Sequence, residues 1–385
     1  MSHLSVPFSP GRETLFNELH NRPFPVLDVP VRVSHMALEE VADVEAEHAH
    51  LARLCERYAV PPPQPEATCY YQDFGGFIVR WERHTEFSTY LVIENGAEGE
   101  LFGQLALDRL PKDWLAALPG RVFSAQNLEI RQAGEQPTDK EALRQGFEGQ
   151  RLIGSEAAQG GAELWTAYRL HSDGFGRFLI LNRSLNPCQT GRLARSLLEL
   201  ETYRLSLLKA LPVAKAVAPQ VWDMDQQLAR IIQQITDIEG MEDERRLLGE
   251  LSVLAARTEQ LISDTNYRFS AAAAYHALVQ ARIEELQERP MAGLMTVREF
   301  LSRRLGPAWR TCESTRDYLD DLSVRINRAN ALIRARVDLS LESQNQALLA
   351  SMDRRSQMQL RLQQAVEGLS VAAISYYTVG LVKYV

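Results

Sequence analysis

From Pro307 to Gly368 the chain carries neither proline nor glycine between those two residues, while Leu319, Leu322, Ile326, Ala329, Ile333, Val337, Leu341, Leu348, Met352, Leu362, Val366 and Leu369 recur at helical spacing. Such a run reads as one helix, and at a rise of about 1.5 Å per residue it reaches roughly 90 Å. No single globular core needs a helix of that length, so residues 307–368 read as a stalk. The stalk leads into an apolar tail, 369–385, in which Leu369, Ile374, Tyr376, Tyr377, Val379 and Leu381 are the candidate membrane-anchor positions. That tail is a little shorter than the ~20 residues of a spanning helix. Lys383 can snorkel to headgroups, and Arg354, Arg355 and Arg361 suit a cytoplasmic flank. The segment ends inside its most apolar run, as an anchor cut short would. The competing reading is a C-terminal core helix.

The rest of the chain changes period once. Up to Asn186-Pro187 it mixes strand and helix signals. A short helix is expected from Gly11 to His20 and a strand from Val29 to Met36. An amphipathic helix follows from Leu38 to Tyr58. Three β-prone runs, 67–73, 77–83 and 87–93, read as an antiparallel meander, and 122–131, 152–157, 163–170 and 175–181 complete the strands. Thr138 and Glu141 have capping-box spacing for a helix to Phe147. After Gly191 the pattern is helical, with breaks at Pro212, Gly240 and Pro290. In the helix 242–288, Leu247, Leu251, Leu254, Thr258, Leu261, Thr265, Phe269, Ala272, Val279, Ile283 and Leu286 form a seam that wants a second long helix beside it, as in a coiled coil. Thr296–Leu305 reads as a corner helix, after which the stalk returns antiparallel. The fold class is therefore α+β: a head, 1–187, with a largely antiparallel sheet; a helical domain, 188–306; the stalk, 307–368; and the anchor, 369–385.

Composition narrows the function classes. A net charge of −8 argues against a nucleic-acid partner, which selects basic surfaces. The four cysteines, Cys55, Cys69, Cys188 and Cys312, form no C-x-x-C pair, which fits a reducing compartment and gives no metal motif. The first residues lack the charged and apolar regions of a signal peptide. No phosphate loop, nucleophile elbow, zincin motif or dinucleotide fingerprint occurs, so no reaction and no cofactor is implied.

Two loops concentrate His, Arg and acceptors near turns: Glu18–Pro23, with His20 and Arg22, and His171–Arg177, with His171, Asp173 and Arg177. They are the candidate ligand-binding residues, for an anion or a carboxylate-bearing ligand. Ordinary turn chemistry accounts for the same residues. Gln344, Asn345, Arg355 and Gln359 interrupt the stalk seam, as the hydrated interior of an oligomer or a solvated helix would. Glu45, Glu47, His48 and His50 lie on one helix, but a spacing of two sets the histidines apart, and a solvated face is expected. His276, on an apolar seam, is expected to pack in a core.

Glu18-Leu-His-Asn-Arg-Pro23, Leu200-Glu-Thr-Tyr-Arg204, Arg310-Thr-Cys-Glu-Ser314 and above all Gln344-Asn-Gln-Ala-Leu-Leu-Ala-Ser-Met-Asp-Arg-Arg355 resemble the uncharacterised bacterial membrane-anchored proteins grouped as DUF3422. The resemblance implies a membrane anchor and no established activity, and brings no catalytic residues; the expected location is the bacterial inner membrane, with the bulk of the chain cytoplasmic. The order of parts is also similar to CorA-type magnesium channels, although their Gly-Met-Asn signature is absent. The expectation is a structural or transport-related homo-oligomer that contacts membrane lipid. The alternatives are a ligand sensor or enzyme using the head, and a helical interaction scaffold.

Overall fold

The computed structural model describes residues 9, 11–12, 25–41, 43–96, 99–136, 138–238 and 240–382. The helix expected over Gly11–His20 lies, beyond its first two residues, outside them. The fold is α+β, and the chain forms two compact units, each built from two stretches: residues 1–215 with 267–314, and residues 216–266 with 315–385.

The first unit is organised on a nine-stranded sheet in the order β2-β3-β4-β1-β5-β8-β7-β6-β9. The strands are β1 (Val31–Glu39), β2 (Cys69–Asp73), β3 (Ile78–Arg83), β4 (Ser88–Asn95), β5 (Arg121–Gln132), β6 (Ile153–Ala157), β7 (Ala162–Thr166), β8 (Gly176–Asn182) and the two-residue β9 (Arg289–Pro290). All neighbours are antiparallel except β5 and β8, which pair in parallel at the centre. Successive side chains leave opposite faces. Val31, Val33, Leu91, Ile93, Leu128, Ile130, Phe178 and Ile180 thus build one core, against helix α4 (Pro187–Leu208) and the nearby parts of two longer helices. Met36, Leu38, Trp81, Tyr90 and Val92 build another on the opposite face, against helix α1 (Val44–Tyr58) and the short helix α2 (Lys112–Ala116). With both faces covered, β4 and β8 carry unbroken apolar runs, Tyr90–Ile93 and Phe178–Leu181.

Local chemistry moves several boundaries. β1 runs on to Glu39, because Leu38 pairs with Ser88 and Val122, and α1 starts only after the cap Asp43, whose carboxylate accepts from the Ala46 amide at 2.7 Å. Helix α3 (Lys140–Gly146) is capped by Asp139, not Thr138; the Thr138 hydroxyl donates instead to Glu163 at 2.7 Å. The solvated face expected for α1 is a correction of another kind. Glu47 and His50 are fully buried. The Glu47 carboxylate accepts from Trp81 Nε1 at 2.9 Å, Arg83 at 2.8 Å and Ser88 at 3.0 Å, while His50 stacks on Trp114 with centroids 4.0 Å apart. His276 is half-buried and stacked on Trp309 at 4.5 Å.

Helix α4 opens with Asn186 and Gln189 in a reciprocal capping box and Pro187 in its first turn. Helix α5 (Ala210–Thr236) follows almost at once. Pro212 does not stop it, since it falls in the first turn, where an amide would have no intrahelical acceptor. Helix α6 runs over Met241–Glu285, and helix α7 over Val297–Val382 without the corner expected at Gly306-Pro307. Buried Leu301, Leu305 and Cys312 on either side hold α7 through Pro307, whose own carbonyl accepts from Thr311 Oγ1 at 3.0 Å.

In the second unit α5, α6 and α7 pack together. Asp225 holds Arg325 at 2.5 Å, Glu259 accepts from Ser323 at 2.8 Å, and Arg336 donates to the Ile235 and Ile238 carbonyls at 2.9 Å each, closing the end of α5. Contacts that advance along α7 retreat along α6, so the two form the expected antiparallel hairpin. Val221, Met224, Leu228, Leu247, Leu251, Leu254, Leu319, Leu322, Ile326 and Ile333 fill the seam. Burial ends at Ile333, and every residue from 341 to 382 is exposed, a stretch of about 60 Å at helical rise.

Candidate functional site

A wide cleft in the first unit follows from an offset between two strands. β5 pairs with β1 from Arg121 to Ile130, but with β8 only from Gln126 onward. Residues 121–125 of β5 therefore lack a strand on that side, and the space is bounded by the loop from β7 to β8, by α4 and by Leu107, Leu115 and Leu118. The cleft measures about 590 Å³. Phe123, Ala125, Phe175 and Leu205 make much of it apolar. At its floor Gln126 is buried, and its amide has no hydrogen-bond partner among the described residues.

One wall is charged. Arg204, on α4, donates to Glu201 through Nε at 2.9 Å and through a terminal nitrogen at 2.7 Å. Burial opposes the charge on Arg204, yet the Glu201 carboxylate outweighs it and raises the guanidinium's pKa. Tyr168 packs between them and Phe300, its ring 4.7 Å from Phe300 and 5.7 Å from the Arg204 guanidinium carbon. Burial, reinforced by Glu201, lifts the Tyr168 phenol well above its ordinary value, so it stays protonated. Tyr168, Arg169 and Arg204 also wall an adjoining recess of about 370 Å³, which Arg304 completes. Arg169 and Arg304 are exposed, and neither has an ion pair among the described residues.

The loop singled out by sequence borders this cleft through Gly174, Phe175 and Arg177. His171, Asp173 and Arg177 do come together; Asp173 and Arg177 pair with each other, whereas His171 Nδ1 meets the Phe175 carbonyl at 3.1 Å and its Nε2 is buried without a partner among the described residues. Asp173 accepts from the Phe175 amide at 2.8 Å and from Arg177 at 3.1 Å; Arg177 also donates to Glu148 at 3.2 Å and to the Gly146 carbonyl at 2.8 Å. Burial holds the His171 pKa below its usual value, and the ring packs 6.0 Å from Phe147. His20 and Arg22 lie outside the described residues.

A second, smaller cavity of about 50 Å³ lies between β1, β3, β4 and α4. His35 lines it, driven down to a pKa of about 4 by burial, with Arg80 and His84 acting in the same sense and Glu199 against it. Glu199 bridges Arg195 at 2.5 Å and Arg282 at 2.6 Å. Among the described residues no group of three metal-ligating side chains converges.

The stalk and anchor positions share one setting. Gln344, Asn345, Arg355 and Gln359 are exposed on α7, as are Leu369, Ile374, Val379 and Leu381, and Tyr376 and Tyr377 are 78% and 71% exposed. The described part of α7 contains an 18-residue window apolar enough to cross a membrane, and none of that window is buried.

Arg169, Arg204 and Arg304 were not singled out by sequence, because they are brought together by non-local packing. The nearest signal is Glu201 three residues before Arg204, the spacing of a helical ion pair. Compared with known proteins, the chain matches one family, described as a protein of unknown function (DUF3422), over residues 8–385. No curated protein and no solved structure matches it.

Proposed function

The chain belongs to the DUF3422 family, and from that membership we propose that it is a membrane-anchored protein held in the bilayer by the apolar end of α7. The observation that carries this reading is the bare apolar window of α7, none of which the protein itself covers. A soluble protein that left Ile374, Tyr376, Tyr377, Val379 and Leu381 in water would expose a large apolar surface, which is costly. From Ala365 to Val382 the helix is about 27 Å long, close to the hydrocarbon thickness of a bilayer. Arg354, Arg355 and Arg361 precede it, so we place the bulk of the chain on the cytoplasmic face of a bacterial inner membrane.

The bare part of α7 supports a second element, self-association. Leu341, Leu348, Met352, Leu362 and Val366 are all exposed at roughly helical spacing, and copies of the chain could cover them for one another. The CorA-like order of parts expected from the sequence is in keeping with this reading. Gln344, Asn345, Arg355 and Gln359 would then lie at or beside the interface. A sensor or enzyme working from the first unit is the other reading, favoured by the cleft beside β5.

Flotation with liposomes tests the anchor. The full chain is expected to float with the vesicles and a chain ending at Gly368 to remain in the dense fraction. Flotation of the shortened chain would overturn the proposal.

A further inference from the structure

We infer that the cleft beside β5 and its adjoining recess together bind an anionic amphiphile, with the carboxylate or phosphate head on the arginines and the tail in the cleft. The inference goes beyond membrane anchoring and stands without it, since every residue involved belongs to the first unit.

Three observations converge on this chemistry. The two cavities share Tyr168, Arg169 and Arg204 as a common wall, so they lie side by side with these arginines between them. At about 590 and 370 Å³ they fall within the roughly 300–1,000 Å³ typical of small-molecule sites. The charge balance is one-sided. Among the described residues Glu201 is the one carboxylate that lines them, and it is already bound to Arg204, whereas Arg169 and Arg304 have no ion pair there. In a chain of net charge −8, unpaired guanidiniums at a concave site select an anion that can take them as a fork. Glu288 lines neither cavity, and its oxygens are turned to Ser155 and to the Val297 and Arg298 amides. The apolar cleft next to this charged recess needs a ligand with an apolar body, which a bare anion lacks. The buried Gln126 side-chain amide, without a partner among the described residues, gives a polar contact on the cleft floor.

The test uses the full chain in phosphatidylcholine nanodiscs, titrated calorimetrically with octyl phosphate, octanoate, octanol and inorganic phosphate, with empty discs as the blank. Octyl phosphate and octanoate are expected to bind saturably, and octanol and inorganic phosphate about tenfold more weakly or worse. Changing Arg169→Ala and Arg304→Ala together, at exposed sites that leave the core intact, is expected to weaken both anionic amphiphiles about tenfold and leave octanol unchanged. Ala125→Phe, which fills the cleft, is expected to weaken all three tailed probes, with thermal unfolding as the check that each variant folds. Discs doped with phosphatidic acid separate two sources of the same head: competition with octyl phosphate assigns a bilayer lipid, and undiminished binding assigns a free amphiphile. Octanol or inorganic phosphate binding as tightly as octyl phosphate overturns the inference, as does anion binding that survives the double arginine change. Saturable binding of an extended apolar peptide in place of the amphiphiles also overturns it, and gives the open edge of β5 to strand addition instead.

Discussion

Gln126 lies directly over Gly176, its partner in the parallel pairing of β5 and β8, so closely that a Cβ on residue 176 would meet the Gln126 Oε1 at 2.0 Å. The glycine here serves proximity and not a special backbone angle. It lets the Gln126 side chain lie flat across the start of β8 and so shapes the floor of the cleft.

Gly176→Ala is therefore expected to push the Gln126 amide out of place. Overpacking at a buried site costs about 1–3 kcal/mol, to be read as a lowered urea midpoint. The companion change Gln126→Ala removes the clash, so the double variant should recover most of the stability lost by Gly176→Ala alone. A double variant no more stable than the single one would locate the strain elsewhere.

Glu47 ties the β3–β4 hairpin to α1 through Trp81, Arg83 and Ser88. Glu47→Ala would take the acceptor from buried Trp81 and Ser88 and one ion-pair partner from the partly exposed Arg83, a loss of about 1–3 kcal/mol. Glu47→Gln keeps part of the acceptor set and should fall between Ala and the unchanged protein. Tryptophan fluorescence during urea unfolding measures both, because Trp81 sits on this carboxylate.

Acid should loosen the first unit well before its carboxylates protonate. Burial brings His35 and His50 each down to a pKa of about 4 from 6.5. A histidine whose folded pKa lies below its unfolded one contributes stability that is fully present above pH 6.5 and is lost as pH falls toward and through 4. For His35 the full difference amounts to roughly 3 kcal/mol. His35→Leu, among Val33, Leu91 and Leu198, should leave the urea midpoint at pH 7.5 nearly unchanged and flatten its decline toward pH 5. An unaltered decline would assign the acid sensitivity to other groups.

The sequence made the strands legible because alternation is local: Val31 and Val33 face one core while Met36 and Leu38 face the other, and each can be read from its neighbours. The seam of α6 was legible for the same reason. Glu47 and His50 were misread because polarity signals exposure only until a partner is known, and the partners of Glu47 are brought to it by the hairpin of β3 and β4. The continuity of α7 through Gly306-Pro307 was hidden because helix breakers report local cost, whereas Leu301, Leu305 and Cys312 contribute tertiary burial. The cleft was least legible of all. Its loop, His171–Arg177, could be singled out, but its shape depends on where β8 begins against β5, and no residue spacing encodes that register.

The apolar end of α7 offers the sharpest test of where this helix resides. None of the apolar window is buried by the protein, so substitutions there should leave the folding of both units unchanged and act only on what the helix meets outside. In a bilayer, Asp near the middle of a spanning helix costs about 3 kcal/mol, and Ile374→Asp should lower membrane partitioning by about a hundredfold. The same charge at Leu348, upstream on the bare helix and equally exposed, should leave flotation intact. Leu369→Asp, nearer the edge of the apolar run, should have an intermediate effect, since the penalty falls toward the interface. A depth-ordered series, Ile374 above Leu369 above Leu348, is what a hydrocarbon slab imposes. Three equal effects would instead describe a protein groove that covers the helix along its length, and no effect at any of them would return the segment to water.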